Sequence, residues 1–394
     1  MRDVLRIYVL WAPRSAVSGK VAELISKHFD GIGMERDGVS HRVPVRYRSV
    51  AWDAGSIQPR PIDLEGADHN AIVLLHSGDM QRQDAEWSKY VGDLNRRIAA
   101  RGNVDVYIPF GALTPQGSLT CDEGKIQYAR RDRWQALPDQ AKDTRFLLHL
   151  VFKLREHIRK VTNRDEKEPL FVSHAKADGD TTARAIVDYI KSTSNDLLLD
   201  TFYDAKELSP GENFGNRFED EIKRGTLLAI VSDIYDSRPW CVYELTTAKR
   251  HQRPIVLADV GGLRTSRTYP YGANLPRVRV KRATDDAKPE PGEDKPAPED
   301  TTWIEPLLVE TLSEALRCDL FGMQASKRAD SAGIAAPRLI LPRPPELLDI
   351  VERLQPKGTV IYPDPPLGRI ESEILMKAMQ AVAPDARLRT LGEI

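Results

Sequence analysis

Residues 225–245 of the 394-residue chain read GTLLAIVSDIYDSRPWCVYEL: an apolar run of strand type, a polar turn, and a helix that opens on Trp240. Glu244 follows Trp240 by one helical turn, so the spacing places an indole and a carboxylate on one face near the strand's carboxyl end. Ligands of open α/β sheets bind at such strand ends. A carboxylate there can stabilise positive charge developing on a bound molecule, while an indole walls off a ring. The competing reading of the pair alone is a solvated glutamate on an amphipathic helix, with Trp240 in the core.

The elements that must position this pair alternate in type. PLFVS (169–173) predicts a strand. TTARAIVDYIKS follows as a helix, with Ala183, Ile186, Val187 and Ile190 at i, i+3, i+4 and i+7. LLLDTFYDA is a second strand. NFGNRFEDEIKRG is a helix with Phe214, Phe218 and Ile222 on its apolar face and Gly225 as its cap. TLLAIVS, the Trp240 helix and the strand PIVLADV complete a doubly wound parallel sheet of flavodoxin-like type over residues 165–325. Within it, residues 281–300 (KRATDDAKPEPGEDKPAPED) carry many charges and no large apolar side chain, which predicts a flexible loop. The helix over 303–321 closes the domain.

Residues 1–160 show the same alternation. LRIYVLWA, VPVRYRSV, NAIVLLHS and VDVYIPFG read as strands. VSGKVAELISKHF, with Val17, Val21, Leu24 and Ile25 spaced helically, EWSKYVGDLNRRIAARG, capped by Gly102, and RFLLHLVFKLREHIRKV read as helices. The tail, 336–394, repeats a strand, Pro-x-Pro-Pro and a helix (RLILPRPPELLDIVERL, TVIYPDPPLGRIESEIL), with proline suited to the first helical turn. It predicts a small third α/β unit.

Composition sets the setting. With 57 basic and 58 acidic residues, no global charge points to nucleic acid or a membrane surface. Cys121, Cys241 and Cys318 lie far apart and form neither a disulfide framework nor a metal-ligand pattern. No apolar run approaches the ~18 residues that span a bilayer, and the opening residues lack a signal peptide's apolar core. The expectation is a soluble, cytoplasmic protein.

Three segments carry a resemblance. Phe171-Val172-Ser173-His174 resembles the first-strand motif of the TIR (Toll/interleukin-1 receptor) domain. Asp204-Ala205-Lys206-Glu207-Leu208-Ser209-Pro210-Gly211 resembles that family's BB loop. Trp240-Cys241-Val242-Tyr243-Glu244-Leu245 resembles the helix bearing the catalytic glutamate of TIR proteins that cleave NAD+, the type found in bacterial anti-phage defence. The resemblance implies NAD+ as substrate, with neither cofactor nor metal. Glu244 would be the catalytic carboxylate, stabilising oxocarbenium-like charge on the ribose as nicotinamide leaves. Nicotinamide is already a cationic leaving group, so one glutamate suffices without a general acid. Ser173, His174, Lys176, Asp204, Lys206 and Trp240 would line the nucleotide pocket. Each has a plainer reading: a backbone-bonded loop histidine, a solvated lysine, an aspartate capping a turn. The BB loop also implies contacts between subunits, hence a homo-oligomer awaiting an unknown trigger.

Other readings stay open. TIR domains also serve as scaffolds without catalysis, and nucleoside deoxyribosyltransferases share the general fold and a glutamate, although the Pro-Gly turn argues against them. APRSAVSGKV (12–21) looks like a phosphate loop, but Arg14 replaces its first glycine and Val21 the magnesium-binding hydroxyl. The first unit also echoes the second: Trp87 and Tyr90 match Trp240 and Tyr243, while Val91 stands where Glu244 would be. That predicts a TIR-like domain without the carboxylate, suited to pairing or regulation.

Overall fold

The computed structural model describes residues 2–30, 43–102, 104–111, 117–164, 168–192, 199–202, 214–262, 272, 274–280 and 301–394, with the backbone alone at 132, 168, 199–202 and 214–218. The Asp204–Gly211 segment and residues 281–300 lie outside them. The chain forms two compact units, Met1–Arg164 and Asp165–Ile394.

The first unit contains β1 (Asp3–Trp11), α1 (Ala16–Phe29), β2 (Val45–Arg48), β3 (Ala67–His76), α2 (Gly78–Gln81), α3 (Asp84–Ala100), β4 (Val106–Gly111), β5 (Ala129–Arg130) and α4 (Asp139–Val161). Its strands pair in parallel in the order β2-β1-β3-β4-β5. Helix α1 buries Val21, Ala22, Ile25 and Phe29, but Val17 is exposed. Ser18, bonded to the capping Ser15, takes the inward place instead. Gly102 has φ 62°, the left-handed geometry of a helix stop.

The second unit continues with β6 (Glu168–His174), α5 (Asp180–Ser192), β7 (Leu199–Phe202), α6 (Phe214–Arg224), β8 (Thr226–Val231), α7 (Pro239–Arg250), β9 (Ile255–Asp259), β10 (Arg277–Arg279) and α8 (Ile304–Ser331). The order is β10-β9-β8-β6-β7, again parallel. Numbered from β6, this is the flavodoxin-like order 2-1-3-4-5, and the first unit has the same order. Helix α5 buries Ala183, Ile186, Val187 and Ile190 as its spacing predicts. Gly225 is not a left-handed cap. It lies where the chain passes β6, and a Cβ there would sit 2.6 Å from the Pro169 carbonyl oxygen.

Helix α8 runs ten residues past the predicted end at Phe321. Its first half packs on the five-stranded sheet. Phe321, Ala325 and Ala329 then cover one face of a separate sheet, meeting Ile340, Ile361 and Leu391. That sheet orders β11 (Arg338–Ile340), β12 (Thr359–Tyr362) and β13 (Arg387–Thr390) in parallel. The crossover helices α9 (Leu347–Arg353) and α10 (Arg369–Val382) cover the other face, with Ile350 and Met379 on Val360 and Tyr362. The repeated prolines stand before the helix caps Glu346 and Gly368, not in the first turns. No helix among the described residues is long and apolar enough to cross a membrane.

Candidate active site

In the 2-1-3-4-5 order the chain reverses direction across the sheet between the first and third strands, here β6 and β8. A crevice for ligands opens at the carboxyl ends of such a pair. Three segments converge there. Strand β6 ends on Ser173 and His174. Strand β8 ends on Val231 and leads into a turn containing Tyr235. Helix α7 then starts on Pro239, a residue suited to a first turn. Asp178, in the loop after β6, ties these turns together by accepting from Ser232 Oγ at 2.6 Å and from the Ile234 amide at 3.2 Å.

Glu244 is buried, 6% exposed, one turn into α7. Ser173 Oγ donates to its Oε2 at 2.5 Å and lies 2.7 Å from the Tyr235 hydroxyl. Serine has a single proton, and an ionised carboxylate only accepts, so Tyr235 donates to Ser173 and Ser173 to Glu244. Both intermediaries are almost fully enclosed. Burial, reinforced by the Glu244 charge, holds the Tyr235 phenol well above its ordinary range, which keeps it a proton donor. The same causes push the Cys241 thiol up to about 12, so Cys241 is an inert core thiol. It packs with Leu245 and Ala248 along the stripe that seats α7 on the sheet.

Of the other expected residues, Ser173 meets Glu244, and the rest among the described residues differ in burial. Trp240 is not in the core. It is 58% exposed and meets Tyr243 edge-on, with ring centroids 5.6 Å apart. Trp240 stands in the first turn of α7, at the rim of the sheet, while Glu244 lies one turn deeper. Ser173 turns its hydroxyl to the protein, toward Glu244 and Tyr235. His174 is buried, with Nδ1 at 3.5 Å from the Val172 carbonyl and Nε2 at 3.5 Å from Asp180. Lys176 is exposed. Asp204 and Lys206 lie outside the described residues, as does the side chain of Phe214. Tyr235 was not anticipated. Its only sequence signal is an aromatic residue within an otherwise polar turn.

The far end of α7 is also held. Lys249 Nζ reaches both carboxylate oxygens of Glu346, at 2.7 and 2.8 Å. Arg250 pairs with Glu352, and Arg343 donates to the Lys249 carbonyl at 3.4 Å. The helix bearing Glu244 is thus fixed to β6 through Ser173 and to the C-terminal module through α9.

In the first unit the corresponding place is apolar. Val91 on α3 is fully buried beside Trp87 and Leu94. Trp87 is enclosed where Trp240 is exposed, so the likeness of the two tryptophans stops at the sequence.

Residues 170–288 match the family model of the TIR domain, and the chain carries a TIR domain there. The match takes in β6 to β10 and α5 to α7 and leaves out both the first unit and the C-terminal module. Among solved structures the chain is similar to one titled "Structure of the activated Roq1 resistosome directly recognizing the pathogen effector XopQ (TIR domains)". Identity is 22%, over 24% of this chain and 58% of that chain, with a TM-score of 0.21. No curated protein matches.

Proposed function

We propose that the TIR domain is an NAD+ nucleosidase, a hydrolase or cyclase, with Glu244 as its catalytic carboxylate. The observation that carries the reading is a buried carboxylate at the β6–β8 switch, oriented by a serine hydroxyl. When the nicotinamide–ribose bond breaks, its electron pair leaves with nicotinamide, which becomes neutral, and positive charge spreads over C1′ and the ring oxygen. A preoriented negative oxygen stabilises that charge without reorganising. Water then attacks C1′ and releases a proton, or another group of the same dinucleotide closes a ring. Lys176 is placed on the loop after β6, where it can meet the diphosphate as a point charge. His174, Asp204, Lys206 and Trp240 remain candidates for the nucleotide pocket. The setting proposed is a cytoplasmic effector of bacterial immunity, with activity low until TIR domains self-assemble on an activating signal. The first unit would act as a TIR-like regulatory partner without the carboxylate.

A second reading, a TIR scaffold without turnover, draws on the exposed Trp240 and Tyr243, a pair suited to a protein interface. Chromatography of NAD+ incubated with the full chain separates the two. Nicotinamide release lost in Glu244→Gln supports the enzyme. Intact NAD+ with an oligomerising protein supports the scaffold.

A further inference from the structure

A cavity of about 1070 Å³ lies in the C-terminal module, outside the part that matches the TIR family. It borders the amino-terminal ends of β11 and β12 and then follows the edge strand β13 along its length to Glu393 and Ile394. Ligands of parallel sheets gather at the opposite, carboxyl ends, so the fold class by itself gives no reason for this opening.

Its charge is the second observation. Lys357, Arg387 and Arg389 line it, all exposed. Most cations nearby are paired: Arg317 with Glu314, Arg338 with Asp330, Arg353 with Asp349 and Lys249 with Glu346. The three cavity cations have no ion pair among the described residues, although Asp385 and Glu393 share the lining. Glu393 is engaged by the Thr390 amide at 2.8 Å. Arg387 and Arg389 alternate along β13 onto the same face, which sets their Cα atoms about 6.6 Å apart. Two neighbouring guanidinium forks with a lysine suit a group rich in oxygens. Ile334, on the arginines' face of the sheet, adds an apolar surface for the remainder of a ligand.

The walls are also preformed. The Lys357 amide donates to the Pro384 carbonyl and the Arg387 amide to the Gly358 carbonyl, each at 2.9 Å, which locks together the turns that carry the cations. Lys357 and Asp385 both adopt left-handed backbone geometry, φ 61° and 64°, a conformation that side chains other than glycine hold only where surrounding structure imposes it.

We propose that this cavity binds a phosphate-bearing small molecule with an apolar or aromatic end, held by Arg387, Arg389 and Lys357. The site is distinct from Glu244 and does not depend on NAD+ cleavage.

The test is calorimetric titration of the full chain with ADP, pyrophosphate and citrate. Wild type is compared with Arg387→Gln/Arg389→Gln and with Glu244→Ala. ADP and pyrophosphate should bind wild type and Glu244→Ala alike and weaken about tenfold or more in the double variant. Both arginines are exposed, so the variant's melting temperature without ligand should match wild type. Silence with millimolar ADP and pyrophosphate overturns the proposal, and so does binding unchanged in the double variant. ADP binding lost in Glu244→Ala instead assigns the ligand to the other site. Citrate binding as tightly as pyrophosphate overturns the phosphate assignment.

Discussion

Ser173 Oγ stands 2.5 Å from Glu244 Oε2, although 71 residues separate them in sequence. The serine ends one strand, and the glutamate rides on the helix after the neighbouring strand. Their bond is therefore made by the sheet order. Removing the serine hydroxyl takes one donor from a buried carboxylate, at a cost of about 1–3 kcal/mol. Ser173→Ala should lower stability by that amount in urea titrations and reduce nicotinamide release at least tenfold. Tyr235→Phe should do less on both counts, because it acts through the serine. Full activity in Ser173→Ala removes the serine from the site.

The two ion pairs that fix the far end of α7 should differ sharply. Lys249 is only 5% exposed and Arg250 is 47% exposed. Breaking a buried pair from one side strands a charge and costs about 3–5 kcal/mol, whereas an exposed pair is worth about 0–1 kcal/mol. Denaturation of Glu346→Gln and Glu352→Gln should reproduce that gap. Lys249→Met combined with Glu346→Leu should recover part of the loss, less the α9 cap that the Glu346 side chain also supplies.

Gly225→Ala should destabilise the second unit although its backbone geometry is open to any residue. The added methyl would meet the Pro169 carbonyl oxygen at 2.6 Å, and overpacking of this kind costs about 1–3 kcal/mol. Thermal unfolding of the variant checks this, and an unchanged melting temperature would mean that β6 yields freely.

Acid should weaken the first unit through His157. Burial lowers its pKa to about 4, against about 6.5 in an unfolded chain. Between these values the unfolded chain holds a proton that the folded one excludes. Stability is therefore full above about pH 6.5 and falls toward pH 4, by about 3 kcal/mol in all. His157→Gln removes the titrating group and should flatten this limb in denaturant titrations at pH 7 and 4.5. Equal slopes in both proteins would assign the acid loss elsewhere.

Much of this architecture was legible because β8, β9 and the second half of β3 (AIVLL) are apolar runs, the mark of strands buried on both faces. Glu244 was legible from its type and its place after a strand. Edge strands β5, β10 and β13 escaped notice because AR, RVR and RLRT carry charge and little apolar alternation. The exposure of Trp240 was not legible, because helical spacing gives direction around the axis and says nothing about depth. Tyr235 and the α9 contacts to Lys249 depend on pairings distant in sequence, which no local pattern encodes.

The shared strand order also makes the difference at Val91 hard to reverse. Val91 is walled by hydrocarbon, and β1 ends in Leu10-Trp11, followed by Ala12, with no hydroxyl to greet a newcomer. A glutamate introduced there would arrive as a stranded anion and take up a proton or unravel α3. Building a hydrogen-bonded buried carboxylate into the first unit therefore requires several coordinated changes. The apolar wall around Val91 behaves as a ratchet.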